Sequence, residues 1–291
     1  MLWQTYLLVS SVLGIVRDSF TKKITQKIDP LVALFYFYIT AIGAAAVIAS
    51  LFYHTNPFSL DAVHWLARLF GVGFGIGVYG MFSAIKISLT KTQTFANYRN
   101  LVSIILAYLV LGEIRSVNVY TILSLVIFVL SLVLPSVFNK QNKEERKASK
   151  EWTLWMILNI VFIGSGLFFV KLFTKTLLPI DVLVNQYLGS FFIVALIIVV
   201  RKMSIKVTDL ATLRLTLVNG VITAFSLFFL YQAIAISQVS VITQVDNFVR
   251  TIFIAPIGLL VFKEHKAMKK VDYISLVLAL IGAFLLMFFV K

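Results

Sequence analysis

"NKQNKEERKASKE" (Asn139–Glu151) is the most polar stretch of a 291-residue chain that is otherwise 60% hydrophobic and only 13% charged. Soluble domains are typically about half apolar and about a quarter charged. Here the charges avoid the apolar runs instead of alternating with them. Read outward from this stretch, five apolar runs lie on either side. Before it come Leu2–Phe20, Pro30–Tyr53, Val63–Ile85, Thr92–Gly112 and Val117–Phe138; after it come Trp152–Thr174, Pro179–Val200, Leu213–Ile236, Val239–Phe262 and Val271–Val290. A run of ~20 mostly apolar residues is long enough to cross a ~30 Å hydrocarbon core. The sequence therefore predicts an all-α integral membrane protein of ten transmembrane helices, with halves at 1–138 and 152–291 joined by the polar linker 139–151. The first run, "MLWQTYLLVSSVLGIV", has neither a basic leader nor a small-residue cleavage site, and reads as the first span.

The halves resemble each other. "SAIKIS" at Ser83 and "QAIAIS" at Gln232 are offset by 149, and "FTK" at Phe20 and Phe173 by 153. Arg99 and Arg250 differ by 151, as do Glu113 and Glu264. Four landmarks in one order at nearly one offset indicate duplication. With an odd number of spans per half, the second half enters the membrane from the opposite side. That is an inverted repeat, an architecture that places a working site where the halves meet near mid-membrane.

"LAYLVLGEIRS" (Leu106–Ser116) and "IGLLVFKEHKA" (Ile257–Ala267) both read as an apolar helix ending in a Gly-Glu or similar pair. With "AIKIS" and "AIAIS" at the ends of the third and eighth runs, the chain resembles the EamA-type, ten-helix members of the drug/metabolite transporter superfamily over nearly its whole length. The resemblance implies a membrane transporter and leaves the substrate open. It departs from the pattern at Lys263-Glu264, where the second Gly-Glu pair has become Lys-Glu. It departs also at Arg99 and Arg250, where the family often has Pro or an apolar residue; Pro256 follows six residues after Arg250.

The informative residues are polar ones inside the runs, because a charge at the centre of a span costs at least ~2.5–3.5 kcal/mol. "TQVDNFVRTIF" (Thr243–Phe253) carries Gln244, Asp246, Asn247 and Arg250. Asp246 and Arg250 are four apart and share a helix face. The first-half counterpart "TFANYRNLVSI" (Thr94–Ile104) has Asn97, Arg99 and Asn100 but no acid. Either the two arginines face a central cavity, or they lock helices together through Asp18, Asp246 or backbone carbonyls. A cavity reading takes Arg99, Asn97, Asn100, Arg250, Asn247, Tyr231 and Gln232 as substrate-binding residues, with Asp18, Asp246 and Lys171 in coupling or gating. The "FTK" alignment makes Asp18 and Lys171 equivalent, as a gate, an ion pair or interfacial snorkelling groups. Arg17, Asp18, Arg99, Lys171, Asp246 and Arg250 together sum to +2, a balance that favours a carboxylate or phosphate ligand. Asn159, Asn185, Gln186 and Asn219 add further in-span hydrogen-bonding groups. "GVGFGIGVYG" (Gly71–Gly80) spaces glycines four apart, which lets helices approach closely; a flexible point or a backbone-lined path is the alternative.

The net charge is +14, but the lysines and arginines sit in short links, which points away from nucleic acid. Counting links in order, the odd ones carry 17 Lys and Arg, while the even links and the termini carry 4. The positive-inside rule puts the odd links in the cytoplasm and both termini outside; the family resemblance implies the reverse. There is no Cys, His54, His64 and His265 lie far apart, and no paired-carboxylate or nucleophile–base pattern is visible. Neither an enzyme nor a cofactor is expected. The expectation is a secondary transporter of the cytoplasmic membrane that moves a small polar metabolite, an amino acid or organic anion, by alternating access, with a proton as a possible coupling ion. The alternatives are a flippase for a lipid-linked substrate and a membrane scaffold that transports nothing.

Overall fold

A computed structural model describes residues 2–111, 119–138, 143–237 and 239–289. Glu113, Arg115 and the linker positions Asn139–Asn142 lie outside the described residues. All the regular structure described is helical: α1 (Leu2–Thr25), α2 (Pro30–Ile48), α3 (Ala62–Ile87), α4 (Leu89–Ala96), α5 (Arg99–Leu111), α6 (Val119–Phe138), α7 (Lys143–Phe173), α8 (Pro179–Val200), α9 (Leu210–Ile236), α10 (Val239–Pro256) and α11 (Lys270–Phe289). Both α2 and α10 run on into a π-helical turn, Ala49–Tyr53 and Ile257–Val261.

Among the described residues, five helices are long and apolar enough to cross a membrane by length and composition alone: Pro30–Tyr53, Ala62–Ile87, Lys147–Phe173, Pro179–Val200 and Leu210–Ile236. α1 and α10 carry buried charges instead, Arg17 and Asp18 in one, Asp246 and Arg250 in the other. The fourth predicted span is not continuous. It breaks at Asn97 and Tyr98, where Tyr98 N donates to Phe95 O and Asn100 N to Asn97 O in tight three-residue turns. The polar linker also differs from expectation, since α7 starts at Lys143, nine residues before the predicted span. Its Lys, Glu and Ala residues are strong helix formers.

Five of the twelve acids act at helix starts, where free N–H groups and the helix dipole favour an anion. Asp29 accepts from Leu31 N, Asp61 from Val63 N and His64 N, and Asp209 from Ala211 N and Thr212 N. Asp272 accepts from Lys269 N at 2.9 Å. Glu264 does the same work for a distant helix, accepting from Leu89 N at 2.7 Å and Thr90 N at 2.9 Å at the start of α4.

Helices of one half pack chiefly on those of the other. α1 lies on α9, α3 on α7 and α8, α2 on α8 and α9, α5 on α7, α10 on α1, and α6 on α11. Exchanging the halves (α1 with α7, α2 with α8, α3 with α9, α5 with α10, α6 with α11) returns the same set of neighbours. The glycines of α3 serve two of these contacts. Gly71 and Gly75 abut Gln186 and Ser190 of α8, while Gly73, Gly77 and Gly80 abut Phe162, Ile163 and Trp155 of α7. The four-residue spacing is thus a packing device, with a separate glycine face for each neighbour.

Contacts between links sort into two ends. Odd links meet odd ones: Lys27 pairs with Asp209 at 2.9 Å, Lys91 with Asp272 at 2.6 Å and Lys22 with Glu264 at 2.8 Å. Even links meet even ones: Thr55 Oγ1 donates to Asp181 at 2.8 Å and Asn185 Nδ2 to Pro57 O at 2.9 Å. The basic links therefore gather at one end of the bundle. Its flank exposes large apolar side chains, among them Phe52, Leu69, Leu109, Phe192, Val199 and Leu260. Water disfavours such a surface and a bilayer accepts it; the chain is a multi-pass membrane protein.

Candidate functional site

Between the helices lies a cavity with about 650 Å³ of empty space, open solvent included. Its charged lining is Arg17 from α1, Arg99 from α5, and Asp246 and Arg250 from α10. Aromatic walls come from Phe37 and Tyr38 of α2, Phe74 and Phe82 of α3, and Tyr187 of α8. Aliphatic groups from α7 and α9, such as Leu167, Leu227 and Leu230, fill the remainder.

The charges are arranged unequally. Arg250 grips Asp246 with two donors, Nε at 3.0 Å from Oδ1 and Nη2 at 2.9 Å from Oδ2. Nη2 also reaches Ser10 Oγ at 3.1 Å, and Ser11 Oγ donates to Asp246 at 2.8 Å. Arg17 Nε lies 2.6 Å from Asp18 Oδ1, whose other oxygen accepts from Gln93 at 2.9 Å. Among the described residues, Arg99 has no acid within ion-pair reach. Its Nε donates to Asn159 Oδ1 at 2.8 Å, and its buried Nη2 has no partner. Only 6% of Arg99 is exposed, so bulk water does not compensate it. The Tyr187 hydroxyl is likewise buried without a partner.

The broken fourth span gives Arg99 a second property. α5 begins at Arg99, so Arg99 stands in the first turn of the helix, where the dipole is positive. A discontinuous helix presenting its N-terminal half to a cavity is suited to an anionic group. An Arg with two free coplanar donors takes a carboxylate in a fork that Lys does not reproduce.

The other sequence-predicted residues fall elsewhere. Asn97 sits buried in the α4–α5 break, with Nδ2 donating to Thr94 O at 2.8 Å, and Asn100 is buried beside it; neither lines the cavity. Tyr231 donates its hydroxyl to Gln186 Oε1, and Gln232 reaches Tyr53 at 2.9 Å. The side chain of Asn247 lies outside the described residues. Lys171 neither meets Asp18 nor lines the cavity. Its ammonium donates to Ile234 O, Ala235 O and Ser237 O at the end of α9, at 2.8–3.1 Å. Lys22 does the same at the end of α3, donating to Ile85 O, Lys86 O and Ile87 O at 3.0–3.3 Å. Lys22 and Lys171 are 149 apart, as are the acceptors Ile85 and Ile234. By these contacts Lys171 resembles Lys22, at an offset of 149, where the "FTK" alignment sets it against Asp18, at 153. With Lys171 removed, the charges around the cavity sum to +1, not +2: Arg17, Arg99 and Arg250 against Asp18 and Asp246.

The 149 offset also exposes residues that sequence reading passed over. Ser10, which holds Arg250, corresponds to Asn159, which holds Arg99. Gly14, which makes room for the Arg250 guanidinium, falls within one position of Gly164, which abuts the Arg99 backbone. The aromatic walls gave no such signal, being spread over three helices whose apolar residues look alike in sequence.

A helical bundle buried in lipid and hollowed by a charged cavity is the form of a membrane carrier. Residues 150–288 match the sequence model of the EamA-like transporter family. That match spans just under half of the chain, and it makes the second half similar to the EamA-type membrane transporters of the drug/metabolite transporter superfamily. A solved structure titled only "Crystal structure of protein" has the same fold at a TM-score of 0.65 and 15% identity, covering 99% of this chain and 97% of that one. In all, 24 solved chains match. No curated protein sequence matches.

Proposed function

We propose that the chain is a secondary transporter of the cytoplasmic membrane, built of ten spans in two inverted halves (1–138 and 152–291), that carries a small polar metabolite by alternating access. The exchange symmetry of the helix contacts, the paired lysine caps at one offset and the sorting of links to two ends support the inverted repeat. The cluster of Lys and Arg at the odd-link end supports a cytoplasmic position for it. The cavity argues for transport over a scaffold.

The substrate is an amino acid or organic anion, and Arg99 receives its acidic group. The observation that carries this is the buried Arg99 Nη2 without a partner at the cavity wall. Structural arginines are satisfied, as Arg250 is; an unsatisfied one retained inside a span marks a functional site. Asp18 and Asp246 are the carboxylates buried in mid-span. A proton taken up by either would loosen its arginine, which is the coupling route the site offers.

The test is a thermal-shift screen of purified protein against amino acids, organic acids, polyamines, nucleosides and quaternary amines, followed by transport of the stabilising ligands in proteoliposomes. Acids should stabilise the protein, and Arg99→Lys should lose most transport while remaining folded. Stabilisation by polyamines or quaternary amines alone, or normal transport by Arg99→Lys, overturns the assignment.

A further inference from the structure

The cavity has a sign and a valence, and these narrow the substrate further than its size does. We infer that the transported species is a monoanion with an apolar body and no ammonium group, that is, an aryl or branched-alkyl monocarboxylate, not a zwitterionic amino acid. The inference rests on reading the cavity as the substrate site.

Three guanidiniums and one carboxylate, Asp246, line the space, and Asp18, outside the lining, pairs with Arg17 at 2.6 Å, so the group as a whole carries one uncompensated positive charge. In a site shielded from water, a net charge is costly and the favoured ligand is the one that cancels it. A monocarboxylate brings the total to zero. A zwitterion leaves it at +1, a cation raises it to +2, and a dianion reverses it. The location of the spare charge agrees with the count, since Arg99 has a fully buried donor without a partner, whereas Arg17 and Arg250 each pair with a carboxylate.

An amino acid would need a second subsite, an acceptor for its ammonium. Both acids are already taken. Asp18 accepts from Arg17 on one oxygen and from Gln93 on the other. Asp246 is held by Ser11 and by Arg250 through both oxygens. Each is also 4% exposed or less. Drawing either acid to an ammonium would strip a buried arginine of its counter-charge. Aromatic walls can hold a cation through their faces, but here three arginines share the same space and repel it. The rest of the lining offers apolar surface from Phe37, Phe74, Phe82, Leu227 and Leu230, with the hydroxyls of Tyr38, Tyr187 and Thr223 as neutral polar groups that carry no charge to pair with an ammonium.

Ligands that share one body and differ only in charge test this. Purified full-length protein is titrated by calorimetry with 3-phenylpropanoate, L-phenylalanine and 2-phenylethylamine. A parallel aliphatic set is 4-methylpentanoate, L-leucine and 3-methylbutylamine. At least one acid should bind about tenfold or more tighter than its amino acid, a difference of ~1.4 kcal/mol, and the amines should not bind. Arg99→Gln should abolish the preference for the acid. If the amino acids bind as tightly as the acids and Arg99→Gln weakens both, the cavity remains the substrate site but the monoanion inference is overturned. If neither acid binds at millimolar concentration, or Arg99→Gln leaves the affinities unchanged, the inference falls and the site assignment falls with it.

Discussion

Arg99 and Arg250 stand 151 residues apart in matching halves, both reach the same cavity, and they are opposites in chemistry. Arg250 has a carboxylate one helical turn before it, Asp246, held in a two-donor fork. The corresponding position before Arg99 is Phe95, which packs edge-on to Trp152 at 5.3 Å and offers no charge. One arginine is paired with a carboxylate on its own helix, and the other has a buried donor without a partner. The lesson is that a buried charge is read by its partners, not by its depth, for both side chains are almost fully buried.

The comparison breaks most sharply at the acid. Asp246→Asn leaves Arg250 buried without a counter-charge and should destabilise the protein by about 3 kcal/mol or more, read as a drop in melting temperature in detergent. Adding Arg250→Gln to it should recover much of the loss. If the single variant melts like the parent protein, the pair is not part of the framework.

The two glycines beside the arginines give the next effect. A Cβ on Gly164 would fall 2.5 Å from the Arg99 carbonyl oxygen, a backbone atom that cannot swing aside. A Cβ on Gly14 meets the Arg250 guanidinium, the end of a long side chain. Overpacking costs typically ~1–3 kcal/mol, so Gly164→Ala should destabilise toward the top of that range and Gly14→Ala by less. Equal losses in thermal melts would mean that Arg250 is as fixed as backbone.

Acid should act at the odd-link end. Burial pushes the Glu264 carboxyl up, but the Lys22 ammonium and the Thr90 and Leu89 amides outweigh it and hold it below its ordinary value. A carboxyl lowered on folding stabilises the protein at pH above its unfolded value, about 4.3. That contribution is lost as pH falls through the lower folded value. Stability of the parent should therefore decline through that window, and Glu264→Gln should flatten the decline. A pH profile unchanged by Glu264→Gln would remove Lys22–Glu264 as a clamp.

The smallest effect is expected at Lys263, where the family resemblance calls for Gly. Its φ of 54° lies in the left-handed region, which costs a residue with a side chain ~1–2 kcal/mol. Gly pays entropy in the unfolded chain instead. Lys263→Gly should thus gain at most about 1 kcal/mol, seen as a slightly higher melting temperature. A loss would mean that the lysine side chain makes a compensating contact.

Much of this was legible in sequence because lipid forces polarity to be meaningful. The apolar runs, the basic links and the two arginines are each imposed by the bilayer. The repeat register was not fully legible. Offsets of 149 and 153 differ by four residues, about one helical turn, so either register presents the same helix face, and "FTK" looked as plausible as "AIKIS". The break at Asn97 was hidden as well, since "TFANYRN" contains neither Gly nor Pro to mark it. Which arginine was free could not be read at all, because Asn159 and Ser10 are brought to them from helices 60 and 240 positions away.

The cross-packing of the halves also has a consequence in time. α1 and α3 rest mainly on α9, α7 and α8, all of which leave the ribosome after them. At roughly 5–20 residues per second, the wait from the end of α1 to the end of α9 is on the order of 10–40 s. During that interval Arg17 and Asp18 have each other, whereas Arg99 lacks even Asn159 until α7 follows. The newborn first half is therefore a set of inserted but unassembled helices.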